Sequence, residues 1–232
     1  MMSETEALLT ALRKAFRASG EHFVADGLVC ADGWHQAEPR VLFILGAPDH
    51  RRDDLCGHLR EVVRCGSAHE LWKSPTYHNL GRWAYGLQHY EEVVPSGKTA
   101  DRHRKAALLS SALIHLRKTV AAPTDTHDIA HHARTFAPFL KRQIEILNPD
   151  IVVLCKTLDL LKQHVLPELA RVEPHVHQLG HRIFIETPHP SCKRPWQNLY
   201  TEVMGRYDRF YHQHNLHGLP LLSATSTSAA RA

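Results

Sequence analysis

The segment Glu186-Thr187-Pro188-His189-Pro190-Ser191 follows a short apolar run, Arg182-Ile183-Phe184-Ile185, and sets a histidine on a turn stiffened by prolines. A strand of that kind delivers His189 to its carboxyl end, where open α/β sheets bind ligands. From that position an imidazole can donate a hydrogen bond to a developing anion. A second junction of the same construction lies far upstream, Val41-Leu42-Phe43-Ile44-Leu45 followed by Gly46-Ala47-Pro48-Asp49-His50. Two strand-to-loop junctions of this type call for a scaffold that brings distant loops together.

Four apolar or β-branched runs read as buried strands: Val41–Leu45, 112–116, Ile151–Cys155 and 182–185. Helical patterns separate them, clearest over 128–147 and 158–165, with others at 54–64 and 77–89 and a closing helix over 196–214. Ala7, Leu8, Ala11, Leu12, Ala15 and Phe16 recur at helical spacing ahead of Gly20, so the chain opens with an amphipathic helix. Strands alternating with helices imply an α/β fold, and the expectation is a three-layer αβα domain around a four-stranded, mainly parallel central sheet. The loop 94–98 precedes an Arg/Lys-rich helix start and marks no domain boundary. One domain over 1–222 with a low-complexity, disordered tail at 223–232 is expected. No internal repeat is visible, which argues against a solenoid or propeller.

The chain has 232 residues, 43% of them hydrophobic, enough for the core of one α/β domain. A net charge of +4 permits a polyanionic partner without requiring one. Twenty histidines would make the surface far more cationic below roughly pH 6.5. Five cysteines without a C-x-x-C pair argue against a secreted disulfide framework. No stretch approaches the length of a membrane span and the first twenty residues have no signal-peptide character, so a cytoplasmic protein, without membrane contact and monomeric, is expected.

Four segments, taken in order and spacing, resemble the uracil-DNA glycosylase superfamily. Gly46-Ala47-Pro48-Asp49-His50 is similar to the water-activating loop of those enzymes. Ser74-Pro75-Thr76-Tyr77-His78-Asn79-Leu80 is similar to the loop and helix start that pinch the DNA backbone. Ala112-Leu113-Ile114-His115-Leu116-Arg117-Lys118 is similar to the strand ending in the base-reading residue, and His189-Pro190-Ser191 to the loop that enters the minor groove. With Asn148-Pro149-Asp150 the resemblance spans roughly residues 40–207.

The resemblance implies a DNA glycosylase that hydrolyses the N-glycosidic bond of uracil or another deaminated or damaged base, with DNA as partner and no cofactor or metal. The base would be flipped out of the helix into the crevice where the four loops meet. His189 would stabilise the leaving base, and Asp49 would orient or activate water. Gly46, Ala47, His115, Tyr77 and Asn79 would contact the base, while Thr76, Ser191, Lys193 and Arg194 would hold the DNA backbone. Trp34 is a further candidate to stack on a base, and Arg51 and Arg52 offer further charge to the phosphates. The chain departs from the superfamily pattern at Ala47, where the commonest branch has an acid, at Asp49, where strict uracil enzymes have an aromatic, and at His115, where Asn is usual. The four spaced cysteines of the iron–sulfur branch are absent.

Two other readings stand beside this one. The fold could bind nucleic acid without cutting it, given Ala47. Alternatively, His127 and His131, spaced i, i+4 beyond the helix-start signal Thr124-Asp125-Thr126, could hold zinc in a metal-dependent hydrolase.

Overall fold

In the computed structural model, residues 4–18, 22–48, 53–65, 73–120 and 126–214 are described. Chain order is α1 (Glu4–Ala18), β1 (Gly27–Leu28), α2 (Ala31–Gln36), β2 (Val41–Leu45), α3 (Leu55–Cys65), α4 (Pro75–Gln88), α5 (Gly97–Leu109) and β3 (Ala112–His115). There follow α6 (Thr126–Thr135), α7 (Ala137–Leu147), β4 (Ile151–Cys155), α8 (Leu158–His164), β5 (Ala170–Glu173), β6 (Val176–Leu179), β7 (Arg182–Thr187) and α9 (Trp196–Gln213).

The sheet order is β1-β3-β2-β4-β7-β6-β5. The four strands expected from their apolar runs form its centre, and β3-β2, β2-β4 and β4-β7 all pair in parallel. The expectation of a four-stranded, mainly parallel sheet is corrected: the sheet is mixed and has seven strands among the described residues, with β1, β6 and β5 joined by antiparallel pairing. The reason is physical. β1 is two residues long and leaves no pattern, and β5 lies exposed at the edge, where no apolar run is needed.

Along the central strands alternate residues serve opposite faces. Val41, Phe43, Leu45, Leu113, Val153 and Ile185 pack in one cluster with side chains of α3, α4, α5 and α9. Leu42, Ile44, Ile114, Val152, Leu154 and Phe184 pack in a second with α2, α6, α7 and α8. Strands covered on both faces need apolar residues at every position, which is why these runs are continuous rather than alternating. Trp34 lies in the second cluster, 2% exposed, and is core rather than a stacking platform.

The helical pattern over 128–147 is two helices. Pro138 falls in the first turn of α7, where its missing N–H costs nothing, whereas inside a continuous helix it would break the ladder, so the chain restarts at Phe136. α1 buries Leu12 and Phe16 as its spacing predicts, and Phe16 stacks on Phe136 with ring centroids 4.4 Å apart. At the amino ends of the strands, Asp150 accepts from the Arg40 backbone N–H at 2.7 Å and binds its guanidinium, joining β2 to β4. Asn148, left-handed at φ 43°, caps α7 just before it. The Asn148-Pro149-Asp150 motif is therefore a staple at the end of the sheet away from the loops described next.

Among the described residues no helix is long and apolar enough to cross a membrane. The tail 223–232 and the helix-start residues Thr124 and Asp125 lie outside the described residues.

Candidate functional site

β2 leads to β3 on one side of it, whereas β4, its other neighbour, leads onward to β7 in the opposite direction. Such a reversal leaves a crevice at the carboxyl ends of the strands. A cavity of about 320 Å³ occupies it. Its walls come from every central strand: Gly46, Ala47 and Pro48 after β2, His115 ending β3, Lys156 and Thr157 after β4, His189 and Ser191 after β7. Ser74, Thr76 and Tyr77 at the start of α4 close one side. Ser74 caps that helix, its hydroxyl accepting from the Thr76 N–H at 3.4 Å, and Pro75 occupies the first turn.

The loop after β7 fixes the protonation pattern of His189. The Ser191 backbone N–H donates to His189 Nδ1 at 3.3 Å, and the Ser191 hydroxyl lies 2.8 Å from the same nitrogen. An Nδ1 that accepts from an amide leaves the ring proton on Nε2, so the neutral ring is a donor through Nε2. The loop is anchored from behind. Asn79 Nδ2 donates to the Pro190 carbonyl at 2.6 Å, and Asn79 Oδ1 accepts from Arg82 Nη1 at 2.7 Å. Arg82 is held in turn by Asp101 at 2.6 Å and by the Trp196 ring, 4.3 Å from its guanidinium carbon. Asn79 is thus not part of the cavity wall as expected. With both ends of its amide engaged, it positions the loop that carries His189.

His115 belongs to a buried polar network. Asp26 Oδ2 accepts from the His115 backbone N–H at 2.7 Å and lies 3.1 Å from Nδ1, while Asp26 Oδ1 accepts from Lys118 Nζ at 2.7 Å. Gln143 completes it, accepting from Lys118 at 2.9 Å and donating to Asp26 Oδ1 at 3.1 Å. Burial acts to raise the Asp26 carboxyl, but the Lys118 ammonium and His115 outweigh it and hold the group down at about 2. Burial pushes the Lys118 ammonium down, against the support of Asp26. An ionised Asp26 can only accept, so the neutral His115 ring carries its proton on Nδ1 and presents Nε2 as an acceptor on a residue that lines the cavity.

The segment holding Asp26 is clamped by Val24 N–H to the Lys118 carbonyl at 2.7 Å and by Ala25 N–H to the Asp53 carbonyl at 2.9 Å. Gly27 follows at φ 140°, a backbone conformation that favours glycine.

Lys156 was not singled out by its sequence. It lines the cavity with an exposed side chain and left-handed backbone, φ 60°, and its N–H donates to the Thr187 carbonyl at 2.9 Å, tying β4 to β7. Its place directly after an apolar run is the signal that would have found it. Cys155, also on the wall, is buried, which pushes its thiol up to about 12 and favours the neutral form.

Thr76 is 5% exposed and reaches the cavity, not the outer surface. Ser191 lies on both. Lys193 and Arg194 are exposed outside the cavity, and Arg194 pairs with Glu202 at 2.7 Å. Asp49, with Arg51 and Arg52, lies outside the described residues. No described residue of the cavity wall is a carboxylate. His127 and His131 stand exposed on α6, and among the described residues no three His, Cys, Asp or Glu side chains gather where they could hold a metal.

No protein-family model matches the sequence, and no curated protein matches it.

Proposed function

We propose that this protein is a divergent relative of the uracil-DNA glycosylases and hydrolyses the N-glycosidic bond of a deaminated or damaged base flipped out of DNA. The observation that carries this reading is convergence. Four segments that resemble the superfamily, spread from Gly46 to Ser191, each supply wall residues to one cavity. Its volume falls at the lower end of the range for small-molecule sites, as a single base requires.

Breaking an N-glycosidic bond demands little of the nucleophile, because the sugar departs as an oxocarbenium-like centre and the base leaves as an anion. Stabilising that anion is the main task. His189, neutral and donating through Nε2, serves it without having to lose a proton, and one such donor is worth on the order of 3 kcal/mol. Tyr77 walls the cavity for the planar base, and Lys156 and the capped start of α4 favour negative charge at the mouth.

A second reading, a nucleic-acid-binding protein without cleavage, is favoured by Ala47, which lines the cavity where the superfamily's commonest branch has an acid. One assay separates the two. Purified protein is incubated with oligonucleotides carrying uracil, hypoxanthine, xanthine or mismatched thymine, followed by alkaline strand cleavage. Excision of any of them supports the glycosylase. Salt-dependent binding without excision of any supports the binding protein.

A further inference from the structure

The geometry points to His115 as the general base that takes the proton of the attacking water, with Asp26 and Lys118 as positioning residues behind it. This rests on the glycosylase reading and deepens it at the water-activating step. His115 lines the cavity, its Nδ1 proton is committed to Asp26 at 3.1 Å, and Nε2 is the remaining ring nitrogen. An acceptor there has two uses, to bind an N–H of the base or to draw a proton from water. The second explains what the first does not: an ionised, fully buried carboxylate stands behind the ring and would stabilise the imidazolium once formed.

The step balances. The C1′–N bond breaks and its electron pair leaves with the base, which accepts a hydrogen bond from His189 Nε2–H. The water oxygen bonds to C1′, and its proton passes to His115 Nε2. The imidazolium, paired with Asp26, then returns that proton to solvent.

The titratable and charged groups around the ring are Asp26 and Lys118 at its back, with Cys56 of α3 beyond them, and Cys155, Lys156, His189 and Tyr77 on the same cavity wall. Burial pushes the Cys56 thiol up, so it stays neutral. Gln143, the α7 member, carries no charge.

The test uses the full chain and whichever of the four oligonucleotides the wild type excises. His115→Asn is expected to lower the single-turnover rate by roughly 100-fold or more, the usual worth of a positioned base, with DNA affinity by fluorescence anisotropy unchanged. The wild-type rate should fall tenfold per pH unit on the acid side, and the variant should lose that limb. Asp26→Asn paired with Lys118→Met, which removes both buried charges together, should slow kcat by a similar factor with KM unchanged, because the Nδ1 proton is no longer held. Nitrogen-15 spectra of the wild type should show the His115 proton on Nδ1; a proton on Nε2 overturns the assignment even if no variant folds. An undiminished rate in His115→Asn, or a changed choice of base at undiminished rate, also overturns it and makes His115 a base reader. A wild type that excises nothing defeats the glycosylase reading itself, and this assignment with it.

Discussion

His189 and His115 face one cavity in opposite protonation patterns, each imposed by what its Nδ1 meets: an amide N–H in one case, a carboxylate in the other. Sequence alone supplies two histidines at strand ends; the roles of donor and acceptor come from Ser191 and Asp26. Asn79 shows the same lesson. Read from its motif it is a substrate contact, whereas it secures Pro190. Asn79→Ala should reduce excision by roughly tenfold through a loosened His189 loop, and it should lower stability by about 1–3 kcal/mol because Pro190 and Arg82 lose a buried partner. Urea denaturation and single-turnover kinetics on the same preparation measure both. Equal rates would show that the loop holds without its anchor.

Asp26 also has a consequence for acid stability. Its carboxyl is held at about 2 in the fold against an ordinary value of 3.8. The native state therefore binds its proton later than the unfolded chain does, and the stabilisation is fully present above about pH 4 and lost as pH falls toward 2. It amounts to about 2 kcal/mol. Comparing unfolding free energies at pH 5 and pH 2.5 for the wild type and the Asp26→Asn, Lys118→Met double variant should show the smaller pH dependence in the variant. An identical slope would contradict the buried pairing.

At the scale of elements, the central strands were legible because burial on both faces leaves an unbroken apolar run. Val41–Leu45 and Ile151–Cys155 begin and end where the sequence places them. What was not legible follows from the same physics. β1 is too short to carry a pattern, β5 is exposed, and the break between α6 and α7 turns on Pro138 inside an otherwise helical periodicity.

The seat of α4 is a further case. Gly81 faces the backbone carbonyl of Arg104 on α5, and a Cβ there would collide with it. Since α4 carries Ser74, Thr76 and Tyr77 on the cavity wall and Asn79 behind the loop, the close approach of α4 and α5 supports the site as well as the core. Gly81→Ala should destabilise by about 1–3 kcal/mol, the usual cost of overpacking, visible as a lowered urea midpoint with an unchanged slope. A stability equal to wild type would mean that the two helices separate at no cost.

For the molecule as a whole, the two ends of the sheet divide the labour. The amino ends are stapled by Asp150 and Arg40, and the carboxyl ends hold the cavity where the strand order reverses. Of the candidate site, the segments were legible as strand-to-loop junctions. Lys156, Asp26 and Gln143 were not, because their relevance comes from positions distant in sequence: Asp26 is 89 residues from His115, and Gln143 is 117 from Asp26. A cavity that cleaves a base from DNA, with His189 stabilising the leaving group as proposed, must release that base. The direct measurement is base release under single-turnover conditions from the uracil, hypoxanthine, xanthine and thymine-mismatch oligonucleotides, with wild type and His189→Ala in parallel. The wild type should release at least one base, and a folded His189→Ala should do so at a rate lower by roughly 100-fold or more. Equal rates in the two proteins, or no release by the wild type from any substrate, would contradict it.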